Sequence, residues 1–225
     1  MKQRFRFLAS VAFCGAAALF CSPSAKATVQ ITLTNGAATA TVTDGGAGDA
    51  CAAVNCVTFS GALGNYLINV STGIAQQTSN PFLDLNSVNV AVQGNAGLLT
   101  ISTSSNGYTV PAPQFRFQVG GTSSLGGAST FAAYGGNSNT LFDTSQALGS
   151  LTFPTSPYSG VSTSSVGATA NPYSLTVVAQ LNGITAGSAS FNAALDMVPE
   201  PATMALLGVT LLLVAGGMRR KLRNT

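Results

Sequence analysis

The chain has 225 residues, 9 basic and 6 acidic, with no histidine and no tryptophan, and a formal net charge of +3. Eight cations (Lys2, Arg4, Arg6, Lys26, Arg219, Arg220, Lys221 and Arg223) lie at the two ends, so residues 28–198 keep Arg116 against Asp44, Asp49, Asp84, Asp143 and Asp196, a net of −4. A middle without clustered cations excludes a phosphate-tracking nucleic-acid surface and disfavours anionic lipid, and the lack of His and Lys there removes the usual Ser-His and Ser-Lys nucleophiles.

Residues 1–27 read as an export signal. Lys2, Arg4 and Arg6 form a basic start, and Leu8 to Phe20 is an uncharged apolar run. Ala25 and Ala27 place small side chains at −3 and −1, which predicts cleavage by signal peptidase before Thr28. Cys14 and Cys21 each follow a phenylalanine rather than the small residue a lipidation box needs, so the chain is secreted without a lipid.

The body, residues 28–196, is about 170 residues long, enough for one domain with a core. Its apolar residues alternate with polar ones: Val29, Ile31 and Leu33; Tyr66, Ile68 and Val70; Val88, Val90 and Val92; Phe115, Phe117 and Val119; Tyr173 through Leu181; Ala189 through Leu195. A period of two over short segments means strands with one buried face. Asn35-Gly36, Asn106-Gly107 and Asn182-Gly183 predict type I′ hairpin turns, and the pairs Gly120-Gly121, Gly126-Gly127 and Gly135-Gly136 predict further breaks. The prolines of the body fall between the patterned segments, where a missing N–H costs least. No helical stripe interrupts the pattern. The expected fold is therefore all-β, an antiparallel sandwich of about eight to eleven strands, with residues 154–172 either a long loop or a weak edge strand.

Two local features stand out. Asp44-Gly45-Gly46-Ala47-Gly48-Asp49 puts two carboxylates in a glycine-rich loop, a candidate for Ca²⁺, although Asp and Gly are equally what a tight turn prefers. The spacing matches no EF-hand and occurs once, and the plain turn is the favoured reading. Cys51 and Cys56 are the cysteines left after signal cleavage, and in an oxidising compartment they are expected to pair. Two cysteines alone do not complete a zinc site, and no metal or other cofactor is expected.

The chain ends with Pro199-Glu200-Pro201, an uncharged apolar run over 202–218, and Arg219, Arg220, Lys221 and Arg223. As a helix that run is ~25 Å long, the short end of what spans a bilayer. The cations hold its far end in the cytoplasm, and the prolines keep Glu200 in an extended segment outside the membrane. In this order the three parts resemble the PEP-CTERM sorting signal of Gram-negative bacteria. The resemblance implies recognition by an exosortase, a membrane-embedded cysteine transpeptidase that removes the helix during export. Segments of the body, among them Val57-Thr58-Phe59-Ser60-Gly61, Asn69-Val70-Ser71-Thr72-Gly73 and Phe82-Leu83-Asp84-Leu85-Asn86-Ser87, resemble a body type that recurs among proteins with this tail, which implies one compact β domain and no particular chemistry.

The organisation read from the chain is a signal peptide over 1–27, a β-sandwich over 28–196 and a sorting signal over 197–225. The function expected is that of a cell-surface or extracellular-matrix protein with a non-catalytic structural or binding role linked to exopolysaccharide and biofilm. Its partners in export would be signal peptidase and exosortase, and the membrane would hold it until processing. One alternative is a secreted carbohydrate-active or other hydrolytic enzyme using an aspartate pair. Another keeps the tail uncut and leaves a periplasmic domain tethered to the inner membrane. Aspartates paired in a cleft would favour the enzyme; flat sheets covered by Thr, Ser and Asn would favour the binding protein.

Overall fold

The computed structural model describes residues 28–72, 75–76, 80–168, 170–198 and 210. Ala25 and Ala27, Pro199-Glu200-Pro201, the helix expected over 202–218 (apart from Thr210) and the cations Arg219, Arg220, Lys221 and Arg223 therefore lie outside the described residues. Among the described residues no helix is long and apolar enough to cross a membrane.

Among the described residues twelve strands form two six-stranded antiparallel sheets. The first sheet contains β1 (Val29–Asn35), β2 (Ala38–Thr43), β6 (Gly97–Tyr108), β8 (Gly126–Gly136), β9 (Gln146–Phe153) and β11 (Tyr173–Gly183), in the order β2-β1-β6-β11-β8-β9. The second contains β3 (Thr58–Leu63), β4 (Tyr66–Thr72), β5 (Phe82–Val92), β7 (Phe115–Ser123), β10 (Tyr158–Thr163) and β12 (Gly187–Met197), in the order β10-β7-β12-β5-β4-β3. The sandwich is the expected class with one strand more than the expected range. The stretch left open over 154–172 holds β10, an edge strand in which Tyr158 is the buried residue; one buried side chain gives no period for a sequence to display.

The alternation places the core. Val29, Ile31 and Leu33 are fully buried, and so are Leu175, Val177, Ala179 and Leu181 on β11 at the middle of the first sheet. Facing them at the middle of the second sheet, β12 turns Ala189, Phe191, Ala193 and Leu195 inward. Two aromatic clusters join the layers. Phe131 stands edge-on to Phe191 with ring centroids 5.0 Å apart and also meets Phe153 and Tyr158. Tyr108 stacks on Tyr173 at 5.3 Å and donates a 2.9 Å hydrogen bond across to the Phe82 carbonyl. Tyr66 works similarly at the other end: its hydroxyl donates to the Gly97 carbonyl and accepts from the Gly183 N–H, tying β4 to the first sheet.

The three Asn-Gly pairs do not make three type I′ hairpins. Between β1 and β2 the register Asn35↔Ala38 leaves Gly36-Ala37 as the loop, with positive φ at Gly36 only. That is the first-position requirement of a type II′ turn, shifted one residue from the expected one. Asn106-Gly107 lies inside β6, where both residues oppose Ser174 in a β-bulge with Gly107 at φ 81°. Asn139 clamps this bulge by accepting from the Gly107 N–H at 2.7 Å. Asn182-Gly183 ends β11 rather than turning it. Gly120-Gly121 is no break either, since β7 runs through it; a Cβ on Gly121 would stand 2.6 Å from the Phe191 Cβ, so glycine there lets β7 lie close against β12.

Candidate binding face of the second sheet

The five aspartates locate whatever acid chemistry the body holds. In the loop after β2, Asp49 accepts from the backbone N–H groups of Gly45, Cys51 and Thr58 at 2.9, 2.9 and 3.0 Å, and Asp44 accepts from Asn55 at 2.8 Å. Burial raises the Asp49 carboxyl, but those three donors outweigh it and hold it below the usual carboxylate value. Both side chains are thus engaged as turn ties. Among the described residues no group of three or more His, Cys, Asp or Glu could hold a metal ion. Asp143 ties another loop, accepting from the Ser138 hydroxyl and the Ser145 N–H.

Just after the Asp44–Asp49 loop, Cys51 and Cys56 form the expected disulfide, with Cα atoms 5.8 Å apart. The ring is small, so the chain-entropy model assigns it only about 2 kcal/mol. Changing both cysteines to serine is expected to lower the unfolding free energy by about that amount in urea titrations, with the sandwich intact. Loss of folding, or full alkylation of both thiols without reduction in the exported protein, would contradict this.

Asp84 and Asp196 are the carboxylates that come together. Asp84 pairs with Ala194 and Asp196 with Phe82, so the two lie on neighbouring strands β5 and β12, both on the outer face. Asp196 accepts from Arg116 at 3.2 Å and from Gln118 at 3.0 Å, both on β7. The Arg116 side chain is half exposed, so the ion pair contributes little to stability. Asp84 accepts from Asn86 at 3.1 Å, while its other oxygen is buried without a partner. Burial raises its carboxyl above the usual value, the Asn86 amide opposes this, and the Asp196 charge adds to it. A raised value means the folded protein keeps its proton to higher pH than the unfolded chain. Ionising Asp84 therefore costs stability as pH rises through the folded value. Asp84→Asn is expected to raise the urea midpoint at neutral pH and leave it nearly unchanged at acid pH; an equal shift at both would contradict this.

Beside this acidic pair the same face carries a shallow trough. Its lining includes Ser60, Leu67, Asn69, Asn89, Ala91, Ser188 and Ser190. The register explains the alignment. Ser60 pairs with Asn69, Asn69 with Asn89 and Asn89 with Ser190, which makes one polar rung across β3, β4, β5 and β12. The next rung runs Ala62, Leu67, Ala91, Ser188, with Leu67 64% exposed at its centre. Asp84 and Asp196 are not among its lining residues, so the carboxylates are together but not in the trough. The alternation already pointed Leu67, Asn69, Asn89 and Ala91 away from the core. That Ser60 and Ser190 complete the rung depends on sheet order, which alternation does not carry.

Fold and face together define an antiparallel β-sandwich module with a flat, uncharged outer trough. The chain carries the PEP-CTERM protein-sorting motif, matched over residues 198–221, so Pro199-Glu200-Pro201, Arg219, Arg220 and Lys221 fall inside the match and Arg223 just beyond it. The motif marks an exported protein. No curated protein matches the chain in sequence. Among solved structures it is similar to the N-terminal cellulose-binding domain of Cellulomonas fimi β-1,4-glucanase C, at 19% identity and TM-score 0.33, over 58% of this chain and 85% of that one. It is similar also to the C-terminal CBM6 of LamC from Zobellia galactanivorans, at 14% identity and TM-score 0.30, over 55% and 94%. A third is the enzymatically active domain of tailspike protein 4 of bacteriophage CBA120, at 8% identity and TM-score 0.33; there the match covers 60% of this chain and 19% of the tailspike chain.

Proposed function

We propose that this is a cell-surface or extracellular-matrix protein, released by an exosortase and carrying a non-catalytic binding face for neutral exopolysaccharide. The observation that carries the reading is the uncharged rung Ser60–Asn69–Asn89–Ser190 beside exposed Leu67. Carboxamides and hydroxyls both donate and accept, which suits sugar hydroxyls. An aliphatic side chain between alanines offers a patch for the C–H face of a sugar ring, and the flat shape suits an extended chain rather than an enclosed small molecule. Processing at the tail would place this module outside the cell, where such polymers are.

The hydrolase reading rests on Asp84 and Asp196. Against it, Asp196 is engaged by Arg116 and Gln118, and Asp84 by Asn86, at a distance from the trough. The test is affinity electrophoresis of the exported protein through neutral and anionic polysaccharide gels. Retardation is expected in a neutral glycan, and Asn69→Ala with Asn89→Ala is expected to weaken it by at least about tenfold, the equivalent of one net hydrogen bond. No retardation in any gel would overturn the binding reading. Turnover of a glycan, abolished by Asp84→Asn or Asp196→Asn, would install the hydrolase in its place.

A further inference from the structure

The four edge strands of the sandwich are β2, β9, β10 and β3, and none carries a charged residue. Exposed edges pair with other strands unless something blunts them. Three of them carry a bulge or a weakening glycine, although β3 and β10 pair with their neighbours without a register shift. The β8–β9 register shifts between Ala133 and Tyr134, leaving Leu148 as an extra residue on β9, and β3 and β10 each have a glycine in their interior, Gly61 and Gly160. β2 has neither device: Ala38-Thr39-Ala40-Thr41-Val42-Thr43 pairs with β1 through six successive residues without a bulge, glycine or proline.

The hairpin settles which backbone groups of β2 are free. With the two-residue loop closed by Asn35↔Ala38, the bonded pairs follow at every second residue, and the Asp44 N–H donating to the Val29 carbonyl at 2.9 Å continues that phase. Ala38, Ala40 and Val42 therefore spend their N–H and C=O groups on β1. Thr39 and Thr41 present theirs to the open edge, and their side chains are exposed. Among the described residues no strand pairs with that edge.

This pattern is complementary to itself. We propose that β2 is a self-pairing edge, joining two copies of this chain antiparallel about a two-fold axis at Ala40. In that register Thr39 and Thr41 of each copy bond the Thr41 and Thr39 of the other, so every free N–H and C=O of these residues is matched. Ala40 then faces Ala40 and Ala38 faces Val42 on the inner side, with threonine opposite threonine outside, a favourable cross-strand pair. No like charges meet. The two first sheets become one continuous sheet, a means of building an assembly that is independent of the sorting and binding readings.

The test is the oligomeric state of the exported protein by sedimentation velocity. A dimer is expected for the wild type. Thr39→Lys with Thr41→Lys sets like charges opposite each other on an exposed face, so a folded monomer is expected, its fold checked by near-UV circular dichroism. Thr39→Lys with Thr41→Glu puts each lysine against a glutamate of the other copy and is expected to restore the dimer. Ala40→Cys lies on the axis in an unbonded pair, where Cα atoms ~4.5 Å apart permit a disulfide, so it is expected to cross-link under oxidation with Cys51–Cys56 retained. A monomeric wild type, a dimer unmoved by the double lysine variant, or no Ala40→Cys cross-link would overturn the proposal.

Discussion

Phe131→Ala is expected to lower the unfolding free energy by about 4 kcal/mol, within the range for truncating a buried aromatic ring. Phe131 is fully buried on β8 of the first sheet, yet its ring meets Phe191 on β12 and Tyr158 on β10 of the second, and Phe153 on β9. Removing it takes a shared partner from both layers at once, which leaves a cavity that neither sheet can close alone. A domain of this size has only ~5–15 kcal/mol in hand, so much of its stability should go with that one ring. Phe131→Leu, which fills most of the space, is expected to cost less than about 2 kcal/mol. Equilibrium urea unfolding of both variants checks the pair. A loss under about 1 kcal/mol for the alanine variant would mean that the two sheets are held together elsewhere.

The second large effect concerns location rather than stability. Changing Pro199-Glu200-Pro201 to three alanines is expected to leave the protein at full length and in the membrane fraction. The proposed reason is geometric: the prolines keep Glu200 out of the helix and open to a protease, whereas alanines extend the helix through it. Residues 196–225 grafted onto an unrelated exported passenger, in a host that has an exosortase, are expected to be trimmed near the same triplet and to release the passenger. The alanine triplet, or deletion of the exosortase, should retain it. An apolar run of ~17 residues is barely long enough to span, which suits a segment to be presented and cut. A passenger that stays at full length in the wild-type host would leave an ordinary tail anchor as the better account.

The strands with two opposed environments were legible in the sequence, because burial on one face writes a period of two. Val29-Ile31-Leu33 and the long runs of β11 and β12 are clear for that reason. β10 was not, because it buries little beyond Tyr158. The Asn-Gly pairs show a different limit. The same dipeptide that closes a hairpin also supplies the positive φ of a bulge, as at Gly107, and the choice between them is made by the partner strand. The trough followed the same division. Asn69 and Asn89 could be read as outward-facing, but their alignment with Ser60 and Ser190 comes from a chain that passes repeatedly between the two sheets. The disulfide needed no such information, since Cys51 and Cys56 are close in sequence and the expected loss of Cys14 and Cys21 with the signal peptide would leave them no other partner.

In the function proposed above, both ends of this chain are addresses and the residues between them are what is delivered. The intact mass of the protein from its native host, measured separately in membrane and extracellular fractions, tests it most directly. An extracellular species is expected that begins at Thr28, retains the Cys51–Cys56 bridge and stops near Pro199-Glu200-Pro201. A mature protein that keeps residues through Thr225 and stays with the membrane would contradict it.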